Sequence, residues 1–324
     1  MTRLERKIIT SIPIAFILNK SKHWYLPGFE GVPLYDVVRF FYRQVKTVGL
    51  TERASAIAYN FIMAIPHSFF FFFTLIRNLP FIKKKEIFKE LSLIIKDIIP
   101  AEGYNRTIIT FIDKTFFQTP VFGLLSFGLL LALFFASNAM MGLMRSFNKN
   151  YHGFERRVGL HTRWVAIRLT VLIFGLVLGC LVILITQGAV LKFFGLRSAF
   201  WLALILYLRW LVIIALIFYS IAFIYKYAPA VQKKWKLVSP GTILATFLCI
   251  AASLGFSSFV NSFGRYNALY GSIGTIIVLM ALVFINSLVL LIGFELNVSI
   301  KTLKARAEQR DAKEKLQLAA QKNT

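Results

Sequence analysis

Six long apolar runs separated by charged gaps dominate the chain, at approximately residues 54–76, 121–144, 164–190, 199–224, 237–260 and 271–296. Each is long enough to cross a bilayer as an α-helix, which takes about 20 mainly apolar residues. Barrel strands span about 10 residues and alternate in polarity, and these runs do neither. The pattern predicts an all-α polytopic membrane protein with six transmembrane helices. It divides into an N-terminal interfacial segment (1–53), a transmembrane domain (54–298) with a long outer loop (77–119), and a charged tail (299–324).

Two shorter stretches keep helical spacing with a polar face. Ile87, Phe88, Leu91, Ile94, Ile95, Ile98 and Ile99 alternate with Lys89, Glu90, Lys96 and Asp97, and Pro100 closes the segment. Between Tyr35 and Val48, a stripe of Val38, Phe41, Val45 and Val48 stands apart from Arg39, Arg43 and Lys46. Such amphipathic helices rest at a membrane interface or on the bundle. The first residues, Arg3 to Lys7 and then Ile8 to Leu18, mimic a signal peptide; Pro13 and the lack of a small-residue cleavage site favour retention.

Composition fits this reading. Of 324 residues 57% are hydrophobic, with 38 Lys plus Arg against 14 Asp plus Glu, a formal charge of +24. Mean hydropathy is +0.68, so the charge is confined to the gaps, and a disordered, collagen-like or disulfide-stapled chain is excluded. The N-terminal segment, the 2–3 and 4–5 gaps and the tail carry 25 basic residues, against 11 in the other gaps. The positive-inside rule then places both termini in the cytoplasm, and makes anionic lipid of the cytoplasmic leaflet a partner. Lys83, Lys84 and Lys85 oppose that count, but long loops obey the rule poorly. Cys180 and Cys249 lie inside apolar runs without ligand spacing and read as packing residues.

Enzyme signatures are missing from the sequence. There is no H-E-x-x-H, Walker A, G-x-G-x-x-G or G-x-S-x-G motif, and His23, His67, His152 and His161 are scattered. No catalytic residue, metal site or cofactor is expected, and neither is nucleic-acid binding. What remains is polar residues inside lipid. Arg209 lies about ten residues, roughly 15 Å, into the fourth run, a position that costs about 2.5–3.5 kcal/mol. No carboxylate is expected at its depth, leaving carbonyls, hydroxyls, water or an anionic ligand to satisfy it. His67 lies at similar depth after Pro66, which frees the carbonyl of Ile62. These two residues, with Arg209 and Asn286, are assigned to a substrate path.

A second polar group collects at the cytoplasmic ends: Glu52, Arg53, Tyr59 and Asn60; Asn138, Arg145 and Asn148; Glu295 and Asn297. Glu295 matches Arg53 or Arg145 in depth and forms with one of them a gate or a permanent clasp. An outer loop holds Arg265, Tyr266, Asn267, Tyr270 and Gly271.

These positions, in order, resemble the YihY/BrkB family of bacterial inner-membrane proteins, some of which have carried a ribonuclease label. The resemblance rests on Glu52-Arg-Ala-Ser-Ala-Ile-Ala-Tyr59 with Pro66, and on Ser137-Asn138 through Arg145, Asn148 and Tyr151 to Arg156-Arg157. It continues through Tyr225, Pro229, Pro240-Gly241 and Ala245 to Tyr266-Asn267-Ala-Leu-Tyr270-Gly-Ser-Ile-Gly274 and Gly293-Phe-Glu295-Leu-Asn297. Ala64 and Leu282 depart from the family pattern, where Ser and an aromatic are usual. The resemblance implies a helical membrane protein with transport of a lipid or amphiphile as the suspected role, and no established catalytic residue. A translocator of a lipid, amphiphile or anion is the leading expectation. A non-transporting scaffold or envelope-assembly partner is the alternative, ribonuclease activity is not expected, and self-association stays open.

Overall fold

The structure is a computed structural model, described over residues 20–77, 84–98, 102–114, 127–148, 159–193, 199–231, 234–262 and 266–322. The signal-like start therefore lies outside the described residues. Among the described residues ten helices follow in order: α1 (Leu34–Thr47), α2 (Leu50–Arg77), α3 (Lys84–Ile98), α4 (Glu102–Ile112), α5 (Phe127–Ala136), α6 (Asn138–Phe147), α7 (Leu160–Phe193), α8 (Ala199–Tyr227), α9 (Pro240–Ser262) and α10 (Tyr266–Lys322). Among the described residues, six helical stretches are long and apolar enough to cross a membrane: α2, α5–α6 taken together, α7, α8, α9 and α10.

The second span is interrupted by one residue where the sequence reads as one run. Ser137 separates α5 from α6, and its hydroxyl donates to the Phe134 carbonyl at 2.6 Å. This back-bonding bends helices without ending them. The amide ladder continues on both sides, from Ser137 to the Leu133 carbonyl and from Met141 to that of Ser137, each at 3.0 Å.

Packing separates the molecule into two halves along the bundle. The main core joins Ala54 and Ile57 of α2, Leu143, Met144 and Phe147 of α6, Leu169 of α7, Tyr225 of α8 and Leu291 and Phe294 of α10. This half, nearest the end of α10, is the tail end. At the other end Phe72 of α2, Leu91 and Ile94 of α3, Ile112 of α4 and Cys180, Leu181 and Leu184 of α7 form a second core. The amphipathic helix of the outer loop thus packs on the bundle, and this is the loop end. Cys249 is buried in the main core, so both cysteines are packing residues.

The helix α1 and the turn before it pack on α10, with Phe29 and Val32 of the turn and Val37 of α1 against Ile300. Of its expected stripe, Phe41, Val45 and Val48 are part-buried and Val45 packs against the main core, but Val37 replaces Val38 on the inward face: Val37 is fully buried and Val38 is 53% exposed. The cause is the partner, since Leu296, Ile300 and Leu303 form a ridge that receives Val37. The loop expected at Tyr266 to Gly271 is likewise corrected, because those residues form the first turns of α10. Polar and aromatic residues read as a loop also suit a helix start at an interface. Continuing to Lys322, α10 has 57 residues and a length of about 85 Å, far beyond the roughly 30 Å of a hydrocarbon core.

Candidate functional site

The charge constellation at the tail end centres on Arg53, one turn into α2. Its position follows Glu52 at the dipole-favoured start of the helix. Helix geometry turns Glu52 outward and Arg53 inward, where only 5% of Arg53 is exposed. The guanidinium forms an ion pair with Glu295 of α10, which is fully buried. It also donates to the Ser146 carbonyl near the end of α6, from Nε at 3.1 Å and from Nη2 at 2.7 Å. One side chain therefore ties three spans. Arg145, the other expected partner of Glu295, is exposed.

Aromatic rings wall this pair. Phe147 and Phe294 stack with centroids 4.0 Å apart, and Trp235 lies 5.4 Å from Phe294. The Tyr225 hydroxyl donates to the Leu290 carbonyl at 2.6 Å. In this dry setting a charge without its counter-charge is expensive, so pairing governs the site.

Two residues along α10, Asn297 closes the start of α9. Its side-chain oxygen accepts from the Gly241 amide at 2.9 Å and its amide donates to Ser239 Oγ at 2.9 Å. Ser239 in turn accepts from the Thr242 amide at 3.2 Å. The orphan amides of the α9 start are thereby satisfied. The backbones of α9 and α10 meet here: a Cβ on Gly241 would lie 2.1 Å from the Gly293 carbonyl oxygen, and one on Gly293 2.6 Å from that of Gly241. Only glycine fits on either side, as in close helix crossings generally.

The other expected tail-end residues serve separate contacts. Asn138 accepts at 2.8 Å from Arg163 of α7, which also donates to Ser137 Oγ at 3.0 Å and to the Phe134 carbonyl at 3.3 Å. Arg163 thus caps the interruption in the second span. Asn148 accepts from the Ala230 amide at 2.9 Å. Asn60 donates to its own helix at Ala56, 2.7 Å away, and Tyr59 is 62% exposed. Below the bundle, Glu30 holds Lys301 and, at 3.1 Å, Lys304. Burial raises the Glu30 pKa, but hydrogen bonds and charge from the two lysines outweigh it and hold the carboxyl below its ordinary range. The residue sits at φ 52°, a left-handed conformation uncommon for glutamate, which its two partners support.

At the loop end the expectation for Arg209 is overturned. Glu90 of α3 stands 3.6 Å from its Nη1, and Arg209 is only 9% exposed. A carboxylate does exist at its depth, carried by an amphipathic helix that packs against the bundle. His67 lies elsewhere, half-buried, with its ring 4.8 Å from that of Phe135 on α5 and Nδ1 3.4 Å from the Met63 carbonyl. Arg209 and His67 thus touch different elements. Pro66 is exposed within α2, and Asn286 donates to the Leu282 carbonyl of its own helix at 3.0 Å. Arg265 lies outside the described residues, as do the side chains of Tyr266, Asn267 and Tyr270; Gly271 contributes backbone to α10.

Sequence reading missed Glu90, Arg163, Ser239 and the helix-crossing role of Gly241 and Gly293. The glycines were already present in the family-like motifs; Glu90 lay in plain view as the acid of the outer amphipathic helix.

Comparison with known proteins agrees with this architecture. The family described as virulence factor BrkB matches residues 41–318. The chain is similar to the putative ribonuclease-like protein YfkH of Bacillus subtilis, 29% identical over 256 residues, covering 78% of this chain and 90% of the relative. It is also similar to a UPF0761 membrane protein of Tolumonas auensis, 30% identical over 93 residues, 27% of this chain and 31% of that one. A UPF0761 membrane protein of Idiomarina loihiensis is 30% identical over 95 residues, 29% of this chain and 34% of the relative. No solved structure matches.

Proposed function

The chain belongs to the BrkB family of integral membrane proteins, and from that premise we propose that it is a translocator of an anionic amphiphile, with a latch at each end. In this reading Arg53–Glu295 closes the tail end and Arg209–Glu90 the loop end. The observation that carries it is the placement of two interhelical ion pairs, one fully buried and one largely buried, in opposite halves of one apolar bundle. Such pairs add little stability over well-packed apolar side chains. A pair that opens and closes uses the charge for switching. When a latch opens it leaves an arginine facing the interior, which sets the substrate's sign. Both termini then lie in the cytoplasm of the bacterial inner membrane, on the basic-residue count.

The ribonuclease-like name of the Bacillus relative is not extended to this chain. Single-strand RNA binding uses exposed aromatic platforms in a basic groove, whereas the stacked Phe147–Phe294 pair is buried and exposed Trp164 belongs to a helix long and apolar enough to cross a membrane. A scaffold remains the second reading, favoured by the exposed charged extension of α10 beyond the bundle.

The test reconstitutes the protein in liposomes and follows a fluorescent anionic phospholipid between leaflets by external quenching. Wild type should exceed protein-free vesicles, Glu295→Gln should lose at least tenfold in rate, and the reversed pair Arg53→Glu with Glu295→Arg should recover part of it. Wild-type rates equal to empty vesicles, for phospholipid and for small anions, would sink the translocator and leave the scaffold.

A further inference from the structure

A cavity of about 360 Å³ opens at the tail end between the start of α7 and the end of α8, away from both ion pairs. His161, Arg168 and Lys234 supply its polar lining, Tyr227 a rim, and Val165, Leu169 and Leu172 an apolar floor. Among the described residues that line it none is acidic. Its volume falls in the range of small-molecule sites.

The cations converge for a reason of helix geometry. Side chains on a helix lean toward its N-terminus, so Arg168, two turns into the span, reaches back toward the tail end. Its guanidinium lies over the Trp164 ring, 4.9 Å from the centroid. Lys234, from the segment joining α8 to α9, comes over Tyr227 at 5.1 Å. An arginine inside a span is costly, and one that leans to the interface above exposed Trp164 puts its charge at headgroup level. Beneath it the floor descends to Leu172, about 16 Å along the helix from His161, into the acyl region.

Positive charge at the interface with an apolar groove below it is complementary to one chemistry. We infer that this cavity is a lateral binding site for an anionic phospholipid of the adjoining leaflet, its phosphate between Arg168 and Lys234 and an acyl chain along Val165, Leu169 and Leu172. The site stands apart from the latches, so it holds whether or not the protein transports.

Native mass spectrometry of the full chain in detergent, titrated with phosphatidylglycerol, phosphatidylcholine or inorganic phosphate, tests it. Phosphatidylglycerol should be retained at least tenfold more tightly than phosphatidylcholine, and phosphate alone should not compete at equal concentration. Each basic group at the surface is worth a factor of about five, so Arg168→Gln with Lys234→Gln should weaken phosphatidylglycerol about thirtyfold. Arg306→Gln with Arg310→Gln in the exposed tail should change it little. Equal retention of both lipids, competition by free phosphate, or an unchanged affinity in the Arg168/Lys234 variant would overturn the site. So would a cysteine at Val165 that cross-links two copies of the chain with high yield, because a second copy would then cover the groove.

Discussion

Removing one member of the Arg53–Glu295 pair should expose how the tail end is held. In Glu295→Gln the shape is kept and the charge is lost, so Arg53, 5% exposed, loses this carboxylate and keeps the neutral Ser146 carbonyl. Breaking a buried pair from one side costs about 3–5 kcal/mol, whereas replacing both members by apolar residues is neutral or stabilising by about 1–4 kcal/mol. At about 1.4 kcal/mol per tenfold, Glu295→Gln should lower the folded-to-unfolded ratio by a factor of hundreds to thousands. Arg53→Met with Glu295→Leu should restore it. Equilibrium unfolding in mixed micelles measures this, with Trp235 as reporter because it lies 5.4 Å from Phe294, next to Glu295. Single losses below about 1 kcal/mol, or a double variant as weak as the sum of the singles, would refute the reasoning. The same double variant separates the two readings of function: a latch predicts a stable protein that no longer translocates, and a static clasp predicts no change in transport.

Three other outcomes follow from the geometry. Gly293→Ala places a methyl 2.6 Å from the Gly241 carbonyl and should cost about 1–3 kcal/mol in the same unfolding assay, whereas Gly255→Ala, which meets nothing within 4 Å, should not destabilise. Because the Glu30 carboxyl is held below its ordinary range, its contribution is full above the ordinary glutamate pKa and is lost as pH falls through the depressed value. The protection factors of the α1 amides, corrected for the intrinsic pH dependence of amide exchange, should therefore fall on acidification through that window, and Glu30→Gln should make them low and flat with pH. Arg209→Ala should loosen α3 from the bundle, seen as faster exchange around Glu90, and Arg209→Glu with Glu90→Arg should slow it again; no change in either variant would remove the pair from the fold.

Hydrophobic run length made the six spans legible, since nothing but membrane burial needs so many apolar residues in a row. The tail-end pair was also within reach: Arg53 and Glu295 lie near the ends of their spans, and counting 1.5 Å per residue places them at one depth. Counting failed for Arg209. The rule compares residues on spanning segments, and Glu90 belongs to a helix outside them that folds back against α7 and brings a carboxylate to the arginine. In the α1 stripe only Val38 was misplaced, because a period of 3.6 fixes which residues share a face but the partner selects which edge of that face is buried. Gly241 and Gly293 show the opposite limit: both sit in recognisable motifs, yet only their placement within one crossing reveals that a side chain on either would collide with the other's carbonyl.

The charge of the chain now has a more exact distribution. Formal net charge is +24, and most basic residues lie in gaps where lipid headgroups or water receive them. The arginines within spans have different surroundings. Arg209 meets a carboxylate, while Arg163 meets carbonyl, hydroxyl and amide oxygens where a helix is interrupted. Arg168 leans over Trp164 into a cavity whose described lining has no acid. A charge inside a membrane persists when something compensates it. For Arg209 and Arg163 the compensation is protein. For Arg168 the complement that the described lining lacks is an anion, which the leaflet beside it supplies.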